Sequence, residues 1–261
     1  MKGYLEIAQS AAVKAGTILR ERISGNREVT YKGEINLVTE MDRLAERMVV
    51  GTILEAFPDH GVLAEEEAKI ENGSEFVWII DPLDGTTNYA HRYPNFAVSI
   101  GLERAGDVIV GVVYDPMREE LFSAEKGQGA YLNGKSIAVS RNDVLIRSLL
   151  ATGFPYDRAV SKENNLNYFN ALIMASQEIR RSGSASLDLC SVAAGRLDGY
   201  WELKLQPWDV AAGSLIVREA GGTVSDFTGT RYGIRDNEIV ASNGRIHGFI
   251  LDTLNAVKCG A

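Results

Sequence analysis

Cysteine is nearly absent from this chain: Cys190 and Cys259 are the two in 261 residues, and neither stands in a C-x-x-C pair. A disulfide framework is excluded, and both are read as buried or terminal thiols rather than ligands. Histidine is as scarce. His60, His91 and His247 have no ligand spacing with one another, so no catalytic role is assigned to them. Basic charge is in deficit, with 27 Lys and Arg against 35 Asp and Glu and a net charge of −8, which argues against direct nucleic-acid binding. No apolar run reaches transmembrane length and the N-terminus lacks the apolar region of a signal peptide, so a cytoplasmic protein without membrane contact is expected. Repeats and low-complexity linkers are also missing. The G-x-G at Gly127 and Gly129 lacks the third glycine and the strand-to-helix context of a dinucleotide fingerprint.

What is present is a hydrophobic content of 45%, enough to bury a substantial core as one large domain or two closely packed halves. The stretch F-V-W-I-I-D-P-L-D-G-T-T-N-Y-A-H, Phe76 to His91, organises the rest. Phe76 to Ile80 is a continuous apolar run of the kind that fills a buried strand. It stops at a charge, so Asp81, Asp84, Gly85 and two threonines arrive together at the strand's carboxyl end, where α/β sheets place ligands. Two ionised carboxylates on one turn repel unless a proton or cation lies between them. Magnesium suits such a place, taking oxygen ligands from carboxylates, with the Leu83 carbonyl as a further donor. Gly85 permits close backbone approach, and a helix starting at Thr86 would turn free N–H groups toward a phosphate. The residues alone also allow a plainer Asp-Pro turn in which Asp84 caps a short helix.

Helical periodicity covers residues 3–23. Ser24 to Leu37 reads as a hairpin or lid-like loop with a short strand around Val29 to Lys32. Thr39-Glu40-Met41-Asp42 has capping-box spacing before a second helix on Leu44, Met48, Val49 and Ile53, so Asp42 could simply cap it. Gly61 to Ala64 is a short strand running into Glu65-Glu66-Glu67, a run that on its own could be a solvated face. Asn95 to Gly101, Val108 to Asp115 and Leu121 to Ser123 predict consecutive strands of a largely antiparallel sheet, followed by a tight turn near Asn133. From about Leu149 strands and helices alternate: strands at 149–153, 197–202 and near Ile239, and helices at 165–176, 183–195, 208–220 and 245–257.

D-P-L-D-G-T-T-N-Y as a unit, with W-D-V-A-A-G-S-L-I-V-R-E-A-G-G at Trp208 to Gly222, resembles the inositol monophosphatase family of magnesium-dependent, lithium-sensitive sugar phosphatases. The resemblance implies an α/β, five-layered αβαβα sandwich. Its halves would be about 1–148 and 149–261, with the site at their junction. It implies two or three Mg2+ ions, one on Glu65, Asp81 and the Leu83 carbonyl and a second on Asp81, Asp84 and Asp209. Glu66 becomes a neighbour of the ligand Glu65; sliding the alignment by one would exchange them. Glu65 and Thr86, with Asp42 behind Thr86, would orient the attacking water, and Lys32 would lie near that site. The Gly85 and Thr86 N–H groups would hold the phosphate, Gly183, Ser184, Ala185 and Glu202 would meet the polyol, and Asp84 and Asp209 would also bind substrate. The implied substrate is a sugar or polyol phosphate, first of all inositol 1-phosphate, with fructose 1,6-bisphosphate as the alternative. A homodimer is expected by the same resemblance. A reading from another class is a protein-binding role, since some bacterial relatives attach to transcription factors.

Overall fold

The computed structural model describes residues 3–24, 29–31 and 37–259. In chain order its first part contains α1 (Tyr4–Arg22), β1 (Val29–Tyr31), β2 (Leu37–Thr39), α2 (Glu40–Ala56), β3 (Gly61–Ala64), β4 (Lys69–Ile70), β5 (Phe76–Asp84) and α3 (Thr86–Ala90). Then come β6 (Ala97–Arg104), β7 (Asp107–Asp115), β8 (Glu120–Glu125), β9 (Ala130–Leu132) and β10 (Lys135–Ile137). The remainder is β11 (Leu149–Thr152), α4 (Leu166–Ala175), β12 (Glu178–Arg180), α5 (Ala185–Ala193), β13 (Gly199–Leu203), α6 (Pro207–Glu219), β14 (Thr223–Ser225), β15 (Glu238–Ser242) and α7 (His247–Cys259).

Two large sheets and three helical layers stack as αβαβα. The eight-stranded sheet has the order β10-β9-β8-β7-β6-β5-β3-β4 and is antiparallel except where β3 runs parallel to β5. The five-stranded sheet has the order β12-β11-β13-β15-β14, with β11 parallel to both its neighbours. α1 and α2 cover the outer face of the large sheet, and α5 and α6 fill the space between the sheets. α4 and α7 cover the far face of the small sheet.

The sequence explains the layering. α1 buries Ala8, Ala11, Ala12, Ala15 and Leu19, a stripe of small residues that lets it lie close to its neighbours. In α6 every residue from Val210 to Val217 is buried, because the helix is pressed between two sheets and has no solvated face. β5 is buried on both sides: Trp78 and Ile80 enter the outer core and Ile79 the central one, as strand alternation requires.

The structure changes the expected local picture in three places. β5 does not end at Ile80; it runs to Asp84 with a register irregularity between Asp81 and Asp84, where Pro82 has no N–H for the ladder. The turn near Asn133 joins a full hairpin, β9 to β10, with Asn133 and Gly134 both at positive φ as a type I′ turn demands. The short strands β4, β12 and β14 carry too few residues for a period-2 signal and had no counterpart in the expectations. β1 and β2 pair antiparallel, in agreement with a hairpin in that region. Among the described residues no helix is long and apolar enough to cross a membrane.

Candidate active site between the two sheets

The carboxyl end of β5 opens into a cavity of about 620 Å³ whose other walls come from the β11–α4 loop, the start of α5, the end of β13 and the start of α6. Glu65, Asp81, Leu83, Asp84, Thr86 and Asp209 all border it. Asp81 and Asp84 arrive on β5. Glu65 follows β3, where its N–H donates to the Ile80 carbonyl at 3.1 Å and so continues the β3–β5 ladder to the residue before Asp81. Asp209 stands in the first turn of α6 and accepts from the Gln206 N–H at 2.7 Å. Its capping role and its place on the cavity coexist, as the helix dipole allows.

Each aspartate turns one oxygen to a protein donor. Asp81 Oδ1 accepts from the Leu83 N–H at 2.9 Å. Asp84 Oδ2 accepts from Ser184 Oγ at 2.7 Å, the Ser186 N–H at 2.8 Å and Ser186 Oγ at 2.5 Å. Burial is the main force raising the pKa of Asp81, Asp84 and Asp209, and Asp81 is raised further by the neighbouring charges of Glu65, Asp84 and Asp209. For Asp84 the serine hydrogen bonds pull the other way, and for Asp209, raised further by the charge of Asp84, the Gln206 N–H opposes the shift.

This donor set fits a hard cation. Every donor is an oxygen, and among the described residues no Lys or Arg stands among the principal influences on the three aspartates. A divalent ion would relieve the mutual repulsion that otherwise favours protonation. Among the described residues no three His, Cys, Asp or Glu side chains are already gathered in an ion-holding geometry. One oxygen each of Asp84 and Asp209 is drawn toward serine and backbone donors, so an ion would draw on the remaining oxygens.

Thr86 opens α3. Its Oγ1 lies 2.9 Å from Oδ1 of the fully buried Asp42 and 3.1 Å from the Leu83 carbonyl, and its single hydroxyl proton is shared between these two acceptors. Gly85 precedes it at φ 98°, a conformation costly for any residue with a side chain. A Cβ there would also meet the Asn95 carbonyl at 3.0 Å and the Gly183 carbonyl at 3.3 Å, so glycine lets the β5 turn pack directly on the start of α5.

The cavity is also lined by Gly183, Ser184, Ala185, Asp188, Arg181 and Glu202. Ser184 is the N-cap of α5 and accepts from the Leu187 N–H at 3.4 Å. The Tyr200 hydroxyl donates to Glu202 Oε2 at 2.5 Å. Burial pushes the Glu202 carboxyl up to about 7, with the Tyr200 bond and the Arg181 charge opposing. Gly153 makes room for Glu202, since a Cβ at that position would sit 2.1 Å from Oε1.

Of the residues singled out in the sequence, Glu65 lines the cavity whereas Glu66 does not, its N–H being directed to Glu46. Lys32 and most of the 24–38 loop lie outside the described residues. His60 accepts from Trp78 Nε1 at 3.0 Å, and His247 sits between Ser225 and Ser242 at 2.8 and 2.9 Å, both in packing roles. Reasoning from sequence missed Ser186, Asp188, Arg181, Tyr156 and Glu46. Asp188 is buried against the cavity one helical turn after Ser184, a spacing that could have flagged it. Tyr156 lines the cavity from the β11–α4 loop. Its phenol is pushed up to about 12 by burial and by Glu65, Asp209 and Asp84, although 54% of the residue's surface remains exposed.

Residues 1–258 match the inositol monophosphatase family. The chain is 46% identical to the inositol-1-monophosphatase of Synechocystis sp., over 98% of this chain and 90% of that protein. It is 45% identical to the Nus factor SuhB of Escherichia coli (strain K12), over 94% and 93% of the two. The solved inositol monophosphatase from Anabaena (Nostoc) sp. superposes with a TM-score of 0.89 at 45% identity, covering 97% of this chain and 95% of that one. A layered fold, an acidic cluster at the end of β5 and a likeness spanning the whole length thus agree: the chain belongs to the inositol monophosphatase family.

Proposed function

We propose that this protein is a cation-dependent phosphatase that hydrolyses a phosphate monoester of a polyol, with inositol 1-phosphate as the first substrate to test. The observation that carries the reading is the meeting of Glu65, Asp81, Asp84 and Asp209 with the Thr86–Asp42 pair around one cavity. The family and the name of the Synechocystis relative support the substrate class.

Glu65, Asp81, Asp84, Asp209 and the Leu83 carbonyl would hold the ion. When bound, a divalent cation such as magnesium supplies Lewis-acid activation of water and neutralises developing phosphate charge. The chain's own residues do the positioning. With the Thr86 proton turned to Asp42, the lone pairs of Oγ1 face the cavity and accept from an attacking water, and Glu65 accepts its second proton. The N–H groups of Gly85 and Thr86 meet the phosphate, and Glu202 and Ser184 accept from polyol hydroxyls. No side chain here acts as a nucleophile: the water oxygen bonds phosphorus as the bond to the polyol oxygen breaks, and the leaving oxygen takes up a proton from solvent to give the polyol hydroxyl. Two or three magnesium ions, inhibition by lithium, a homodimer and a cytoplasmic location belong to the same reading, as does Lys32 near the water.

Phosphate release from inositol 1-phosphate, fructose 1,6-bisphosphate and a 3′,5′-bisphosphonucleotide tests it, each with magnesium, with lithium added and with chelator. Magnesium-dependent turnover strongest on inositol 1-phosphate supports the reading; preference for another substrate keeps the chemistry and moves the specificity. Asp84→Asn is expected to lose turnover while remaining folded, and full activity in that variant would sink the assignment. The relatives named Nus factor SuhB favour a second reading, a protein-binding role beside the chemistry. Retention of a specific partner by the inactive Asp84→Asn protein would separate that role from catalysis.

A further inference from the structure

The turn that presents Glu65 is held from outside the cavity. From Ala64 to Ala68 every backbone N–H has a partner: Ala64 donates to the Ala68 carbonyl at 2.9 Å and Glu65 to the Ile80 carbonyl at 3.1 Å. The other three converge on one side chain. Glu46 Oε2 accepts from the Glu66 N–H, and Oε1 from the Glu67 and Ala68 N–H groups, each at 2.9 Å.

Glu46 is 4% exposed, and it lies in the middle of α2, one helical turn after Asp42. Residues four apart share a helix face. One face of α2 therefore carries both the carboxylate that receives the Thr86 hydroxyl and the carboxylate that fixes the turn beside Glu65. A lone buried carboxylate is costly unless its lone pairs are filled, and here three N–H groups fill them. The same arrangement needs an acceptor-only group, since a glutamine in this place offers one oxygen and turns an NH2 toward the remaining donor.

The geometry points to Glu46 as a positioning residue for the cation site: by clamping the 66–68 backbone it sets where Glu65 stands relative to Asp81, and α2 ties that placement to the Thr86–Asp42 pair. This rests on the cation reading given above. Glu46 touches neither substrate nor ion; it acts through the turn. Ligand carboxylates are tuned by the groups that orient them, and loss of such support typically weakens metal binding by about 10–100-fold.

The test is calorimetric titration of the whole protein with magnesium or manganese chloride, for wild type, Glu46→Gln, Glu46→Ala and Arg43→Ala. Arg43→Ala is a control that removes only the exposed ion pair with Glu67. Hydrogen exchange at amides 66–68 and kinetics over a range of ion concentrations accompany it. Glu46→Gln is expected to bind the ion about tenfold more weakly, to exchange faster at 66–68, and to regain most of its kcat at high ion with an unchanged KM for substrate. Arg43→Ala should match wild type. If Glu46→Ala fails to fold, the near-isosteric Glu46→Gln decides alone. Faster exchange with an unaltered ion affinity would reduce Glu46 to a structural role and overturn the inference. A folded wild-type protein that binds no divalent ion would overturn the cation reading itself, and this inference with it.

Discussion

Ser184 and Asp84 stand 100 positions apart in the chain, yet the Ser184 hydroxyl donates to Asp84 Oδ2 at 2.7 Å. The bond ties the end of β5 in the large sheet to the first turn of α5, which lies under the small sheet. Two motifs that are separate in sequence thereby become the two walls of one site.

Ser184→Ala removes this bond and the α5 cap together. Urea unfolding is expected to show a loss of about 1–3 kcal/mol, the range for a cap plus a hydrogen bond to a charged group. An unchanged midpoint would mean that the two layers are joined by other contacts.

Thr86→Val keeps the shape at the start of α3 but deletes the hydroxyl between Asp42 and the cavity. A group that orients the water in the transition state should cost about 10²-fold or more in kcat when lost. Thr86→Ser should retain most of the rate. Equal rates in the Val variant and wild type would remove the pair from the mechanism.

The Glu202 carboxyl titrates near 7 in the fold against an ordinary value of 4.5, raised by burial. Between those two values the folded state binds the extra proton, so the stability contributed by Glu202 is present below about pH 4.5 and is lost as pH rises through about 7. Without divalent ion, the midpoint of thermal unfolding should fall over that window, and Glu202→Gln should flatten the fall. Parallel curves for the two proteins would refute a protonated Glu202.

Gly153→Ala places a methyl group where the Glu202 carboxylate now lies, 2.1 Å from Oε1. The carboxylate must swing away, so KM for a polyol phosphate is expected to rise about tenfold, the worth of one hydrogen bond to a charged group, with a smaller change in kcat. Steady-state kinetics at saturating magnesium would show it; a fall in kcat with KM constant would place Glu202 in the chemistry instead of in binding.

Much of the lining of the candidate site was legible beforehand because it is local in sequence. Asp81, Leu83, Asp84, Gly85 and Thr86 are consecutive or nearly so, and a strand that stops at charge delivers them together whatever the rest of the fold. The capping pattern before α2 and the Trp208-Asp209 start of α6 were local signals for helix starts, and it was the family resemblance that drew Asp42 and Asp209 toward the candidate site. The irregular passage of β5 through Pro82 was not, since Asp84 rejoins the ladder only because Ala97 on β6 is there to pair with it.

Periodicity, turn chemistry and charge thus determined most of the elements and the Asp81–Asp84 turn, while the layered class and the places of Glu65 and Asp209 came from the family resemblance of the two motifs. Which side chains meet was decided only when the layers closed. In sequence Glu46 looks like an ordinary acid on a charged helix, and glutamates are rarely buried; it is buried because three amides of the 66–68 turn fold onto it. Ser186 reaches Asp84, and Asp188 and Tyr156 reach the cavity, only because α5 and the β11–α4 loop pack against the end of β5. Hydrogen bonds act over about 3 Å, so partners dozens of residues apart leave no mark on local pattern until packing brings them together.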